Sequence, residues 1–275
     1  MTAQAFDAQL IPDGTSFHAQ NALFFAHLSD VIYKKRQRDV EAITEPWGLE
    51  LNQWTWKNQG PTHVAVWSTP KHILTVFRGT DEKADWGDNL RIGRLPHDFG
   101  RVHSGFAGAL ARVECELLAV LTGLLTEKPR KLWIAGHSLG GALATLMATK
   151  LVLANASVEG VYTFGQPQVG DRKFVRHYNK ELGKRTYRVV NHLDAVAYLL
   201  RTQFKHVDTL VQLGNTSGYR VGGPNRPDRA GFPRSRPGGK GPRRFNRNNA
   251  LSKPDHAMSR YVGKLSAILD AELGS

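Results

Sequence analysis

The sequence predicts an α/β fold: a mainly parallel central sheet flanked by helices, in a single domain over residues 1–275. Three observations carry this. Short apolar runs alternate with longer segments of helical spacing, the pattern of strands joined by crossover helices. The run Leu132–Ala135 passes through a tight glycine-containing turn straight into an apolar helical pattern, Ala142–Ala154. A length of 275 residues with 41% hydrophobic side chains is enough for one sizeable core.

Taken in order, Ser16 reads as the cap of a first helix running to about Lys35, with Leu23, Phe24, Leu28, Val31 and Ile32 at three- and four-residue steps. A second short helix, Gln37–Thr44, stops before Pro46. Strands are expected over Leu49–Trp56, His63–Ser68 and Ile73–Phe77, the first two parted by the turn-forming Asn58-Gln59-Gly60-Pro61. Asp81–Asp88 is acidic and polar, and Val102–Phe106 precedes a long helical pattern to about Leu125. Beyond the glycine turn follow a strand Val158–Phe164, a helix Asp171–Leu182, a strand Thr186–Asn191 and a further strand Phe204–Leu213. Residues 214–253 are rich in Gly, Pro, Arg and Asn and read as a long irregular insertion. Helical periodicity returns in His256–Leu273 through Met258, Tyr261, Val262, Leu265, Ile268 and Leu269.

The formal net charge is +13. Spread over one face, it would point to nucleic acid or an anionic surface. Instead, nine Lys or Arg stand against one Asp, Asp228, between Arg220 and Arg247. Aromatics are sparse there (Phe232 and Phe245), so no nucleic acid is expected. A solvated tether, with at most transient contact to an anionic lipid surface, fits better. The single cysteine, Cys115, excludes an internal disulfide and reads as a small buried hydrophobe in a helix. Met1–Asp13 lacks a basic start followed by an apolar run, so no secretory signal is expected. A cytoplasmic location, or export by another route, is the corresponding expectation.

The glycine turn carries the chemistry. Gly136-His137-Ser138-Leu139-Gly140 is G-x-S-x-G between a strand and a helix. A residue in so sharp a turn projects its side chain clear of the backbone, and flanking glycines remove the Cβ atoms that would clash. The helix start beside it favours developing negative charge. Ser138 is therefore read as a nucleophile. A serine hydroxyl needs a base, and the base an orienting carboxylate, in the chain order Ser, Asp or Glu, His. Asp194, just past the strand ending at Asn191, is the leading acid; Asp171, which suits a helix cap, and Asp208 are rivals. His256, at the mouth of the last helix, is the leading base among His177, His192, His206 and His256. The oxyanion donors are read as the N–H of Leu139 and Thr80, which ends the strand Ile73–Phe77 through Arg78-Gly79.

Several ordered motifs recur with these: Phe77-Arg78-Gly79-Thr80; Asp85-Trp86 and Asn89-Leu90; Val102-His103-Ser104-Gly105-Phe106; Gly136-His137-Ser138-Leu139-Gly140-Gly141; Thr163-Phe164-Gly165-Gln166-Pro167-Gln168-Val169-Gly170-Asp171; Arg188-Val189-Val190-Asn191 leading to Asp194; and His256 with Met258 and Tyr261. Together, from about Asn21 to Tyr261, they resemble the class 3, or fungal-lipase-like, family of α/β-hydrolases. The resemblance implies the α/β-hydrolase fold, a Ser138–Asp194–His256 triad, an oxyanion hole from Thr80 and Leu139, and hydrolysis of carboxylic esters, often acylglycerols, without cofactor or metal. It also implies a lid over residues 81–92, with Trp86 and His137 beside the substrate. The family often carries D-P-V-P at the acid; here Asp194 is followed by Ala195, Val196 and Ala197.

The leading reading is a serine lipase or esterase. The mostly charged lid segment inclines it to short- or medium-chain esters. Phospholipid and feruloyl-type esters stay open, since specificity lies in pocket shape. A module that binds anionic surfaces without turnover is the reading from another class.

Overall fold

Strands that are apolar on both faces must be covered on both faces. In the computed structural model, which describes residues 10–55, 62–80, 93–191, 194–198, 200, 203–207, 209–214, 218–222 and 254–274, this is what happens. The strands are β1 (Glu50–Trp54), β2 (Val64–Ser68), β3 (His72–Phe77), β4 (Arg94–His97), β5 (Gly100–His103), β6 (Lys131–His137), β7 (Val158–Phe164), β8 (Thr186–Asn191), β9 (Leu210–Leu213) and β10 (Tyr219–Gly222). Among the described residues, eight form one sheet in the order β1-β2-β3-β6-β7-β8-β9-β10. The middle strands β3, β6, β7, β8 and β9 are parallel; β1, β2 and β10 add antiparallel edges.

Alternation along the strands builds two cores. Val64, Val66, Ile73, Phe77, Leu132, Ile134 and Val161 face helices α3 (Ser104–Ala111), α4 (Glu114–Glu127), α5 (Leu139–Leu153) and α6 (Arg172–Leu182). Ala65, Trp67, Leu74, Val76, Trp133, Ala135, Tyr162 and Phe164 face α1 (Ala19–Val31) and α7 (Met258–Leu273), with Val40 of α2 (Gln37–Thr44). Helix α1 lies against α7 and the sheet together, which explains its burial nearly all round. Asn21, fully buried in it, is satisfied by a pair of 2.9 Å bonds with the N–H and carbonyl of Ile11.

The structure departs from expectation at several points. Ser16 does not cap α1; the helix starts after His18, without a side-chain cap. The long helix before β6 is two, broken at Arg112-Val113, where Val113 (φ −121°, ψ −8°) turns its side chain into the core. Cys115 is exposed: α4 buries Leu117 and Leu121, and Cys115 lies off that stripe. The strand within Phe204–Leu213 is only β9, and His206 lies before it, buried. The expected irregular insertion begins with the hairpin β9–β10, paired from Leu210↔Gly222 to Leu213↔Tyr219. The rest of that insertion, residues 215–217 and 223–253, lies outside the described residues, as do residues 81–92.

A two-stranded ribbon, β4–β5, was not legible in the sequence. It docks through the His103 N–H, which donates to the Val169 carbonyl at 2.9 Å. His103 is fully buried, its ring 4.1 Å from that of Phe106. Burial pushes its pKa down from 6.5 to about 4. Between those values the unfolded chain takes up a proton that the folded chain refuses, so stability declines as pH falls from about 6.5 to about 4. Urea denaturation midpoints of a His103→Gln variant are expected to fall less than wild type over this interval.

Candidate functional site

Strand β6 ends at His137 and α5 begins at Leu139, leaving Ser138 alone to make the bend. It does so at φ 56°, ψ −124°, sparsely populated for a residue with a side chain. Its N–H donates to the Phe164 carbonyl at 2.8 Å, fastening the bend to β7. The paired glycines give the room. A Cβ at Gly136 would lie 2.3 Å from the Gly140 oxygen, and one at Gly140 would lie 2.1 Å from the Phe77 oxygen.

His256 arrives on a single 3₁₀ turn, Pro254–His256, just before α7. Its Nε2 is 3.0 Å from Ser138 Oγ; its Nδ1 is 2.8 and 3.0 Å from the Asp194 oxygens. A carboxylate can only accept, so Nδ1 carries the hydrogen and Nε2 is left to accept from the serine. Asp194 is completely buried. Besides His256, it accepts from the Tyr261 hydroxyl at 2.5 Å and from the Val196 N–H at 2.9 Å. Burial, then the Asp194 charge, hold the Tyr261 pKa well above 10, so the hydroxyl keeps its proton to donate. No proline follows Asp194; that last bond closes the turn onto a short 3₁₀ helix, Val196–Tyr198, instead. Gly165, at φ +57°, floors the pair: a Cβ there would lie 2.4 Å from Asp194 Oδ2 and 2.9 Å from His256 Nδ1.

Thr80 follows Gly79, where a Cβ would lie 3.0 Å from the Ser138 Cβ. Among the described residues, its Oγ1 is buried without a hydrogen-bond partner. Leu139 opens α5, so its N–H has no intrahelical acceptor. Two unspent donors thus lie on either side of Ser138, an arrangement able to hold an oxyanion while His256 moves a proton.

His137 lies elsewhere than expected. Its Nδ1 is 2.7 Å from the Tyr33 hydroxyl and its Nε2 2.8 Å from the His256 carbonyl, so neither nitrogen is left for a substrate. Asp171 caps α6 through the Phe174 N–H at 2.8 Å. His177 bonds the Phe99 carbonyl at 2.8 Å, and His206, a rival base by chain order, is buried on the Ala197 carbonyl. Trp86, His192 and Asp208 lie outside the described residues. Sequence reasoning missed Tyr33, Asn191 and Gly165. Asn191 Nδ2–H donates to the Asp255 carbonyl at 2.8 Å, joining the acid's strand to the base's turn. Gly165 and Asn191 left local signals, in Phe164-Gly165-Gln166-Pro167 and Arg188-Val189-Val190-Asn191, but without a role; Tyr33 left none.

Tyr261→Phe removes a donor to Asp194 and an acceptor, at 3.1 Å, for the Asn191 N–H. Guanidinium denaturation is expected to show a loss of about 1.5–3 kcal/mol, the range for a hydrogen bond to a charged group.

Residues 74–204 match the profile of the family described as lipase (class 3). The chain is 34% identical over 144 residues to a lipase of Rhizomucor miehei, covering 50% of this chain and 39% of that protein. It is 32% identical over 141 residues to the secreted mono- and diacylglycerol lipase 1 of Fusarium solani, covering 50% and 42%. The chain thus spans about two-fifths of the length of these relatives. A solved Rhizomucor miehei lipase propeptide complex superposes with a TM-score of 0.64 at 25% identity, over 74% of this chain and 69% of that one. Over residues 74–204 and in this shared architecture, the chain is similar to the class 3, fungal-lipase-like α/β-hydrolases.

Proposed function

We propose that this chain is a serine carboxylic-ester hydrolase acting on acylglycerols or on short- to medium-chain acyl esters. The observation that carries the reading is the relay Ser138 Oγ, His256 Nε2, His256 Nδ1 and Asp194, at 3.0 and 2.8 Å, beside the unspent donors of Thr80 and Leu139. Ser138 Oγ attacks the ester carbonyl carbon as its proton passes to His256 Nε2. The carbonyl π electrons move onto oxygen, held by Thr80 and the Leu139 N–H. The C–O bond to the alcohol then breaks, and His256 protonates the leaving oxygen. Water, deprotonated by His256, attacks the acyl carbon; the bond to Ser138 Oγ then breaks, His256 returns the proton to that oxygen, and the carboxylic acid leaves. Asp194 stays ionised and orients the imidazole.

The acyl preference rests on the polar sequence Asp81–Asp88, which offers little apolar surface to an interface. The basic sequence between Arg220 and Arg247 is read as a tether that touches anionic lipid at most transiently.

With p-nitrophenyl butyrate, Ser138→Ala is expected to lower kcat by about 10⁶ while the protein still unfolds cooperatively. A fluorophosphonate should label wild type at Ser138 and leave the variant untouched. Wild-type-like turnover in Ser138→Ala would overturn the assignment. A panel of acyl chain lengths and of glycerol and phospholipid headgroups reads the substrate; a rate that jumps at emulsion formation would overturn the short-chain preference.

A further inference from the structure

The catalytic histidine's backbone is held from outside its own turn. The carbonyls of Asp255 and His256 are each bonded by a side chain at the carboxyl end of a central strand: Asn191 on β8 and His137 on β6. We propose that His137 and Tyr33 are positioning residues for His256: the Tyr33 hydroxyl locks His137 as the Nε2–H tautomer, that N–H pins the His256 carbonyl, and the His137 ring stays uncharged against the His256 ring. This rests on the triad reading above.

The hydrogens can be counted. The His256 carbonyl only accepts, so His137 Nε2, 2.8 Å away, must carry a hydrogen. His137 Nδ1 lies 2.7 Å from Tyr33 Oη. Were His137 doubly protonated, its Nδ1–H would face a hydroxyl that could turn to accept. Burial argues against that form, since it carries His137 well below its usual pKa, with the neighbouring His256 adding to the shift. Tyr33 is half-buried, and withdrawal of its hydroxyl from water raises its pKa, which keeps the hydroxyl protonated and able to donate. With one hydrogen on the ring and Nε2 claiming it, Nδ1 is the acceptor and Tyr33 the donor. Every polar atom of His137 is then used, with one tautomer allowed.

The ring contact gives neutrality a purpose. The two imidazoles lie 4.5 Å apart between centroids, tilted by 34°. In the proposed reaction His256 becomes an imidazolium. A second cation at that separation would oppose it, whereas a neutral aromatic face attracts it. The charged and titratable groups around this pair fit the same arrangement. Asp194 and Tyr261 lie on the His256 side, with the Tyr261 ring 6.1 Å from His137. Arg78 stands 5.4 Å over the Tyr33 ring, and Asp30 acts on Tyr33 from α1. Tyr33 also abuts Gly79: a Cβ there would fall 2.4 Å from Tyr33 Oη and 2.7 Å from the His137 carbonyl oxygen. The pair therefore lies between the oxyanion loop and the base.

Tyr33→Phe removes the one donor to Nδ1 and little volume. The ring can then take the Nδ1–H tautomer, which turns the Nε2 lone pair on the His256 carbonyl. With p-nitrophenyl butyrate, kcat is expected to fall about tenfold with KM within about twofold. His137→Gln, whose amide N–H can still reach the carbonyl, should retain several times the kcat of His137→Leu. In wild type, imidazole ¹⁵N NMR should show His137 as the neutral Nε2–H form throughout the acid limb of kcat/KM, and that limb should titrate a single proton. Equal kcat in wild type, Tyr33→Phe and His137→Leu would overturn the proposal, as would an Nδ1–H or doubly protonated His137 in the spectra. Absence of any wild-type esterase activity would instead overturn the functional reading, and the tautomer measurement distinguishes the two failures.

Discussion

A buried carboxylate dictates how the carboxyl end of this sheet is assembled. Asp194 has no exposed surface, and an ion removed from water costs several kcal/mol unless donors replace the lost hydration. Among the described residues three arrive, from three places: the His256 ring on a 3₁₀ turn, the Tyr261 hydroxyl on α7, and the Val196 N–H of its own turn. Helix α7 is therefore placed by polar demand at its first turn and by apolar packing on α1 beyond it. Truncating either donor leaves the charge under-solvated, so the structure that orients the base is also the structure that makes the carboxylate tolerable.

The serine bend depends on a different physics, that of backbone meeting backbone. Gly136 and Gly140 let β6, β3 and the first turn of α5 approach more closely than any Cβ would allow. The bend is then fastened to β7 by a main-chain bond from Ser138 to Phe164. Because β7 also supplies Gly165 at its end, the same strand braces the nucleophile and floors the Asp194–His256 pair. The reacting groups come from distant parts of the chain, yet each is referred to one rigid parallel sheet.

Much of this is legible in the sequence. The apolar run, glycine spacing and following helix at Ser138 are local signals, and local signals survive in sequence. Asp194 and His256 were singled out from rivals by chain order, and the structure brings both to Ser138. What was not legible lacks a local cause. Strand β4 is mostly exposed and contains Pro96, so it has no alternating pattern. The break at Arg112-Val113 contains neither glycine nor proline. Cys115 departs from its expected burial because a cysteine's burial follows its place on the helix stripe, and α4 turns that place to solvent. Tyr33 meets His137 across 104 residues, a contact only folding creates.

The dihedral angles at Ser138 set conformational comfort against reactivity. Glycine would occupy φ 56°, ψ −124° with less strain, so the most relaxed chain at that corner is a chemically mute one. Selection for thermal robustness alone would drift toward erasing the hydroxyl. Any programme of hardening this scaffold must look for its gains away from that corner.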